Sequence, residues 1–249
     1  MRVVAFLESA SGFGLISLSI TYLLTVYRAL ERKRAVALSF YHAAEGGADA
    51  VGFVANHFAN GKLTGLAASL RTAARDLQEM LESHFEHPIL HYFHPSKVYK
   101  SVPRVLFLSL EICAVIRSCL DNEEYNELNE RPEVRILESS TRQVLREFTA
   151  LLDLDKASSR RAESRIEGTR RWEARFEQTL DGLEQAGIKT RKDRAAGWET
   201  YQALRDEWEP QLDALAAYLG YDWDEVTGDK DLRQAADEEM VPPRVEMSR

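Results

Sequence analysis

An uninterrupted apolar segment at the N-terminus constrains this chain more than any other feature of its sequence. Between Val3 and Tyr27, the only formally charged side chain is that of Glu8. A helix of roughly 25 residues, rising about 1.5 Å per residue, is longer than the ~30 Å hydrocarbon core of a bilayer. The segment therefore predicts one transmembrane helix at the start of the chain.

The charges that flank this segment predict its orientation. Four basic residues follow its C-terminal end: Arg28, Arg32, Lys33 and Arg34. By the positive-inside rule, they place the N-terminus outside the cell and the rest of the chain in the cytoplasm, with the four side chains near the lipid headgroups of the cell membrane. Two alternatives remain, a buried core helix and a cleaved signal peptide, although a signal peptide ordinarily carries its basic residues before the apolar run.

Two different surfaces follow the length of the predicted transmembrane helix. Small and hydroxyl side chains recur every three or four residues and form what we call the small-residue stripe: Ala10, Gly14, Ser17, Thr21 and Thr25. Bulky apolar side chains form a second stripe: Phe13, Ile16, Ile20, Leu23 and Tyr27. Small residues let helices approach closely in lipid, and hydroxyls can bond across an interface or line a water-filled cavity. The small-residue stripe thus predicts a helix-packing or pore-facing surface and a homo-oligomer, unless its hydroxyls simply bond to carbonyls of their own helix.

The composition is that of a globular chain with one membrane segment. Of 249 residues, 45% are apolar and 29% are charged, and the net charge of −8 argues against nucleic acid as the main partner. Cys113 and Cys119 lie in one apolar stretch and indicate two reduced thiols. The sequence has no phosphate-binding glycine loop and no G-x-S-x-G or H-E-x-x-H motif, so we predict neither enzymatic activity nor a cofactor.

Helical periodicity without sustained strand alternation predicts an all-α fold. Apolar residues at 3.6-residue spacing indicate helices at about 63–84, 97–120 (broken by Pro103) and 133–152, and a helical hairpin with arms at 158–186 and 191–219. Asp49 can cap a short helix that ends at Asn60-Gly61, after Gly46-Gly47 breaks the first helix. The predicted units are 1–34, the transmembrane helix with its basic stop; 35–153, a helical cytoplasmic domain; 154–220, the hairpin; and 221–249, an acidic, largely disordered tail.

Two further groups of residues are possible sites. His84, His87, His91 and His94 follow one another at three- and four-residue spacing, but Pro88 interrupts the helix, so we interpret them as a packed or solvated connector rather than a zinc site and predict no metal. Basic residues dominate residues 156–175, interleaved with glutamates. That pattern is typical of a solvated helix face, although contact with anionic lipid or with the acidic tail remains open.

The N-terminal stretch also resembles a known family. Glu8 early in the helix, Gly12-Phe13-Gly14, the run Ser19–Leu24 and the sequence Tyr27-Arg28-Ala29-Leu30 before the basic stop are similar to the pore-lining inner helix of bacterial potassium-channel-like proteins of the two-transmembrane, pore-loop class. The stretches His84–Phe93 and Ile116–Asp121 resemble the helical domain that follows the pore in a subset of them. The resemblance implies an ion-transport function, with Gly14, Ser17 and Thr21 facing the pore axis.

The chain departs from that family in one respect. Potassium channels select their ion with a Thr-x-Gly-Tyr-Gly-type loop just before the inner helix, and this sequence contains no such loop. As written it is not expected to form a selective pore, and potassium is a partner only if an upstream filter exists. Two hypotheses follow, the inner helix and regulatory domain of a channel, or a single-pass anchored interaction protein, with a soluble helical enzyme a distant third. Translation of the DNA upstream of Met1 would distinguish the first two.

Overall fold

A computed structural model describes residues 2–44, 49–154 and 165–228. Its first element is a single helix, α1, at Arg2–Ala43, about 60 Å long. No proline interrupts it. We call residues 2–25 its outer half and residues 26–43 its inner half. Several hydroxyls of the outer half bond to the helix itself, as Ser19 Oγ does to the Leu15 carbonyl at 2.9 Å. The prediction that the first helix continues past residue 34 is confirmed as far as Ala43, whereas the predicted break at 46–47 lies outside the described residues.

Two short elements follow α1. Helix α2 comprises Ala50–Ala55, and the Asp49 side chain accepts a hydrogen bond from the Gly52 N–H, which confirms the predicted cap. Strands β1 (Phe58–Ala59) and β2 (Lys62–Leu63) then form a minimal antiparallel hairpin. Its turn places Asn60 and Gly61 at positive φ, which explains the choice of these two residues. The periodicity of the sequence did not predict this hairpin, because two-residue strands are too short to show alternation.

The centre of the fold consists of α3 at Leu66–Glu86, a connector and α4 at Val102–Cys119. The connector includes 3₁₀ helices at Pro88–Tyr92 and Val98–Lys100. Within α4 every residue except Arg117 is buried, as its composition predicted. Pro103 marks the start of α4, so the apolar stretch 97–120 is interrupted beside this proline, as predicted. It lies in the first turn, where the lack of an N–H has no cost.

The remaining helices are α5 (Asn126–Glu130), α6 (Pro132–Leu151), α7 (Arg165–Gln185), α8 (Arg194–Asp206), α9 (Glu209–Tyr218) and α10 (Trp223–Thr227). The second arm of the predicted hairpin is thus two helices, because Pro210 begins a new one. The tail predicted from residue 221 begins with a helix whose Val226 is fully buried, and residues 229–249 lie outside the described part.

A single apolar core joins these elements. It extends from Val36 in the inner half of α1, through α3, α4 and α6, to Val226 in α10. The chain is therefore an all-α protein, and α1 contributes to the core with one half only. The candidate functional site lies where α1 extends out of that core.

Candidate membrane-spanning helix and its junction with the helical domain

The outer half of α1 is apolar and almost wholly exposed in the described chain. Its large side chains are among the most exposed of the protein, with Phe6 72% and Phe13 74% accessible. One described helix, near the N-terminus, is long and apolar enough to cross a membrane, and almost none of its most apolar stretch is buried. A buried core helix is thus not what the structure shows for this segment, because a core helix would be covered by its own domain.

The small-residue stripe lies on this exposed half. All five of its residues, Ala10, Gly14, Ser17, Thr21 and Thr25, are exposed. Thr21 Oγ1 donates to the Ser17 carbonyl at 2.8 Å, and Thr25 Oγ1 donates to the Tyr22 carbonyl at 2.7 Å. A Cβ added to Gly14 would meet no atom within 4 Å. The hydroxyls can therefore rest on their own helix, and the stripe as a surface for packing or for a pore stays a prediction.

Where the two halves of α1 meet, the helix packs against the connector that follows α3. Val26 and Ala29 are buried against Leu90, which is itself inaccessible. One turn earlier, the Tyr22 ring lies edge-on to the His87 ring, with 6.1 Å between their centroids. The contacts between domain and helix therefore begin at the inner end of the apolar segment.

The four basic residues after the apolar segment differ in their exposure. Arg28 and Arg32 are exposed, and Arg34 pairs with Glu31 at 3.1 Å on the surface. Lys33, in contrast, is buried, and its Nζ donates to the Phe93 carbonyl at 3.1 Å. Its burial lowers the pKa of its ammonium group to about 8. Lys33 therefore faces the domain, unlike its three exposed basic neighbours, and the place of the four residues at the lipid headgroups stays a prediction.

The reason for this position of Lys33 can be read from helical spacing. Buried residues of the inner half recur every three or four positions and define its domain-facing side: Val26, Ala29, Lys33, Val36, Ala37 and Phe40. Lys33 falls on that side, whereas its basic neighbours point elsewhere. A long lysine side chain can place its stem against apolar groups and its amine on a carbonyl, so the position is tolerated at some cost.

The histidine series does not form a metal site in the described part of the chain. His84 is buried, with Nδ1 2.8 Å from the Met80 carbonyl oxygen and its ring edge-on to Phe148. The pKa of His94 is lowered by partial burial and then by the nearby Lys33 charge. Among the described residues no group of three His, Cys, Asp or Glu side chains is arranged to hold a metal ion. Two of these histidines, His84 and His87, thus make ring contacts within the protein, with Phe148 and Tyr22.

A buried cluster of charges, missed by the sequence analysis, connects α4, α7 and α8. Glu111 on α4 accepts a hydrogen bond from the Tyr201 hydroxyl, and Arg205 Nη1 donates to Glu111 Oε2 at 2.5 Å. Arg175 Nε lies 3.4 Å from Glu111 Oε1. The Arg205 guanidinium also covers the Trp172 ring, 3.4 Å from its centroid. The signal for this cluster was the lone carboxylate in the apolar run around residue 111.

This charge cluster holds helices together. Both oxygens of Glu111 on α4 accept hydrogen bonds from α8, one from Tyr201 and one from Arg205. Burial raises the pKa of the Tyr201 hydroxyl, which keeps it protonated and able to donate. The cluster therefore joins the predicted hairpin to the central helix.

The basic run before this cluster is engaged with the domain in its described part. Arg171 Nη1 pairs with Asp224 Oδ1 at 2.6 Å, and Arg171 Nη2 donates to Thr227 Oγ1 at 3.0 Å. The sequence left open whether this basic run contacts anionic lipid or the acidic tail. Arg171 contacts the start of that tail, at Asp224. Residues 156–164 lie outside the described part, as do the side chains of residues 165–170.

Comparisons with protein-family models, with curated proteins and with solved structures gave no match. Fold and junction together define the class of the protein as an all-α domain that carries one candidate membrane-spanning helix at its N-terminus. The likeness to potassium-channel-like proteins rests on the sequence stretches given above and stays a prediction.

Proposed function

We propose that the chain is the pore-lining helix and cytoplasmic regulatory domain of a potassium-channel-like membrane assembly. The observation that carries this proposal is the division of α1, whose outer half is apolar and exposed and whose inner half is part of the domain core. A single helix surrounded by lipid has no need of small and hydroxyl side chains. Several copies of a helix with such a stripe can pack around a central pore, with the stripe facing the pore axis. The sequence likeness of Gly14, Ser17 and Thr21 to pore-facing positions adds to it.

The continuity of α1 supports a regulatory role for the domain. No glycine or proline occurs between residues 15 and 43, so this part of the helix has no ordinary hinge. A tilt or rotation of the inner half would pass directly to the membrane half. The domain would then control the pore by moving α1 as a lever, with Gly12 and Gly14 as the only glycines at which the outer part could bend.

The proposal includes the cell membrane, one crossing, an outer N-terminus and a cytoplasmic domain. Arg28, Arg32 and Arg34 support this orientation, since they remain exposed just beyond the segment. A second candidate is a single-pass anchored interaction protein, which is favoured by the bonds of the Thr21 and Thr25 hydroxyls to carbonyls of their own helix. The two candidates differ in whether the small-residue stripe faces water.

Cysteine accessibility tests this difference. The protein, expressed with any in-frame sequence upstream of Met1, receives single cysteines at Ser17 or Thr21, or at the matched controls Ile16 or Ile20. The native Cys113 and Cys119 give little background, because both are buried and burial raises the pKa of both thiols. In intact membranes, a water-soluble thiol reagent should label positions 17 and 21 but neither control. Lack of labelling at all four positions would contradict the pore and leave the anchored protein.

A further inference from the structure

Apart from α1, the exposed large apolar side chains of the described chain concentrate in one short stretch. They are Phe85, Ile89, Tyr92 and Phe93, which are 49%, 40%, 81% and 45% accessible. The others, Ile136, Leu151 and Tyr218, lie at separate places in the sequence. A concentration of exposed aromatic residues on a stable domain ordinarily marks a surface that meets another apolar phase.

The local backbone determines which side chains face outward. Residues Pro88–Tyr92 form a 3₁₀ helix, in which side chains three positions apart lie one above the other. Ile89 and Tyr92 therefore share a face, and both are exposed. Leu90 points the other way and is completely buried against α1. The stretch thus has one side attached to α1 and one apolar side that is open.

The height of this stretch along α1 decides what it meets. His87 lies beside Tyr22, and the Phe93 carbonyl accepts from Lys33. Eleven residues of helix separate those two α1 positions, which is about 16 Å along its axis. If the ~30 Å of hydrocarbon begins near Val3, roughly 20 helical residues reach its inner boundary at about Tyr22. The stretch then begins at that boundary and continues through the headgroup layer, which is roughly 5–7 Å thick on each side, to the depth of Lys33.

The side chains match the chemistry of that layer. Aromatic rings with one polar edge, such as that of Tyr92, are favoured at the boundary between acyl chains and headgroups. Arg28 and Arg32 are exposed on neighbouring turns of α1 at the same height, where a cation is attracted to anionic lipid headgroups. Apolar insertion and basic charge together form the usual pair of signals for a membrane surface.

We propose that Phe85, Ile89, Tyr92 and Phe93 form an interfacial surface that inserts into the inner leaflet beside α1. This inference rests on the proposed membrane crossing of α1. The interfacial surface would give the domain a second attachment to the bilayer and would fix its height and rotation beneath the membrane. Movement of α1 against the domain would then require either lipid rearrangement around the interfacial surface or its withdrawal.

Spin labels in liposomes test this placement with the full chain. Single cysteines replace Tyr92 in the interfacial surface, Tyr218 as a matched exposed tyrosine on α9, or Leu18 in the apolar segment, and each carries a nitroxide. Collisions with oxygen, which concentrates in lipid, are compared with collisions with a water-soluble nickel chelate. Labels at 92 and 18 should collide more with oxygen and less with nickel than the label at 218.

The label at Leu18 separates the two ways in which the experiment can fail. A lipid signature at 18 with a water signature at 92 would overturn the interfacial surface and leave the membrane crossing intact. A water signature at 18 would overturn the crossing and, with it, the interfacial surface. Protection of 92 from both reagents would mean that protein, such as a second copy of the chain, covers it, which would also overturn the lipid assignment.

Discussion

Glu111→Leu should be one of the most damaging single substitutions in the protein. The side chain is buried within α4, and the substitution removes the carboxylate that Arg205 and Tyr201 share. Leucine is close to glutamate in size, so steric strain is not the main effect. What remains is a buried guanidinium, 2% accessible, without its principal counter-charge.

The size of the effect follows from what Arg205 retains. Breaking a buried ion pair by removal of one partner ordinarily costs about 3–5 kcal/mol. Arg205 Nε keeps a weaker ion pair with Glu209 Oε2 at 3.5 Å, so we expect the lower end, about 3 kcal/mol. Adding Arg205→Met removes the orphaned charge. The double variant should therefore recover about 2 kcal/mol of unfolding free energy relative to Glu111→Leu, because the cost lies in the uncompensated charge.

Urea unfolding of the full chain in detergent micelles, followed by tryptophan fluorescence, measures this effect. Trp172 is in direct contact with the Arg205 guanidinium, so its emission reports on the cluster. A matched control is Glu173→Leu, which removes an exposed carboxylate from the neighbouring helix and should change stability by less than about 0.5 kcal/mol. A cost under about 1 kcal/mol for Glu111→Leu, or a double variant less stable than the single one, would show that the uncompensated Arg205 charge is not the source of the destabilisation.

Two further predictions concern α1. Lys33→Met should stabilise the protein by about 2 kcal/mol at pH 7. Lowering the lysine pKa from 10.5 to about 8 costs the wild type roughly 3 kcal/mol of folding free energy, which the variant recovers. The variant loses the hydrogen bond to the Phe93 carbonyl, which is worth about 1 kcal/mol. Between pH 8 and 10.5 the folded lysine releases its proton while the unfolded one keeps it, so the wild type gains stability and the advantage of the variant should shrink. Denaturation at pH 7 and pH 9.5 checks this, and an equal advantage at both values would contradict it. Gly14→Leu or Ser17→Leu should weaken self-association in a bilayer reporter assay by about 1 kcal/mol or more, whereas Ile16→Leu should not, because only the small-residue stripe permits close approach. Equal association for all three variants would remove the argument for an oligomer.

The parts of the fold that local patterns encode could be predicted from the sequence. The continuation of α1 beyond the apolar segment, the Asp49 cap and the burial of α4 each depend on neighbours within a few turns. Helical spacing and capping chemistry carry that information directly. Pro210 is also visible in the sequence, but one continuous helix was predicted across it because the residues before and after it have the same apolar periodicity.

What the sequence could not supply is the identity of distant partners. Glu111 and Arg205 are 94 residues apart, and nothing in either local pattern indicates that they meet. The contact of Lys33 with the Phe93 carbonyl joins residues 60 apart, and charge alone could not show that this one basic side chain faces the domain. The exposure of the connector at the height of Tyr22 likewise depends on how α3 returns toward α1.

Carbonate extraction of cell membranes tests the central claim, that the outer half of α1 crosses a bilayer while its inner half belongs to the domain. The measurement is the partition of the full-length chain between membrane and supernatant at alkaline pH, with the mass of the recovered protein determined. The intact chain, including residues 1–27, should remain in the membrane pellet. Recovery of the intact chain in the supernatant, or of a chain cleaved near residue 30, would contradict it.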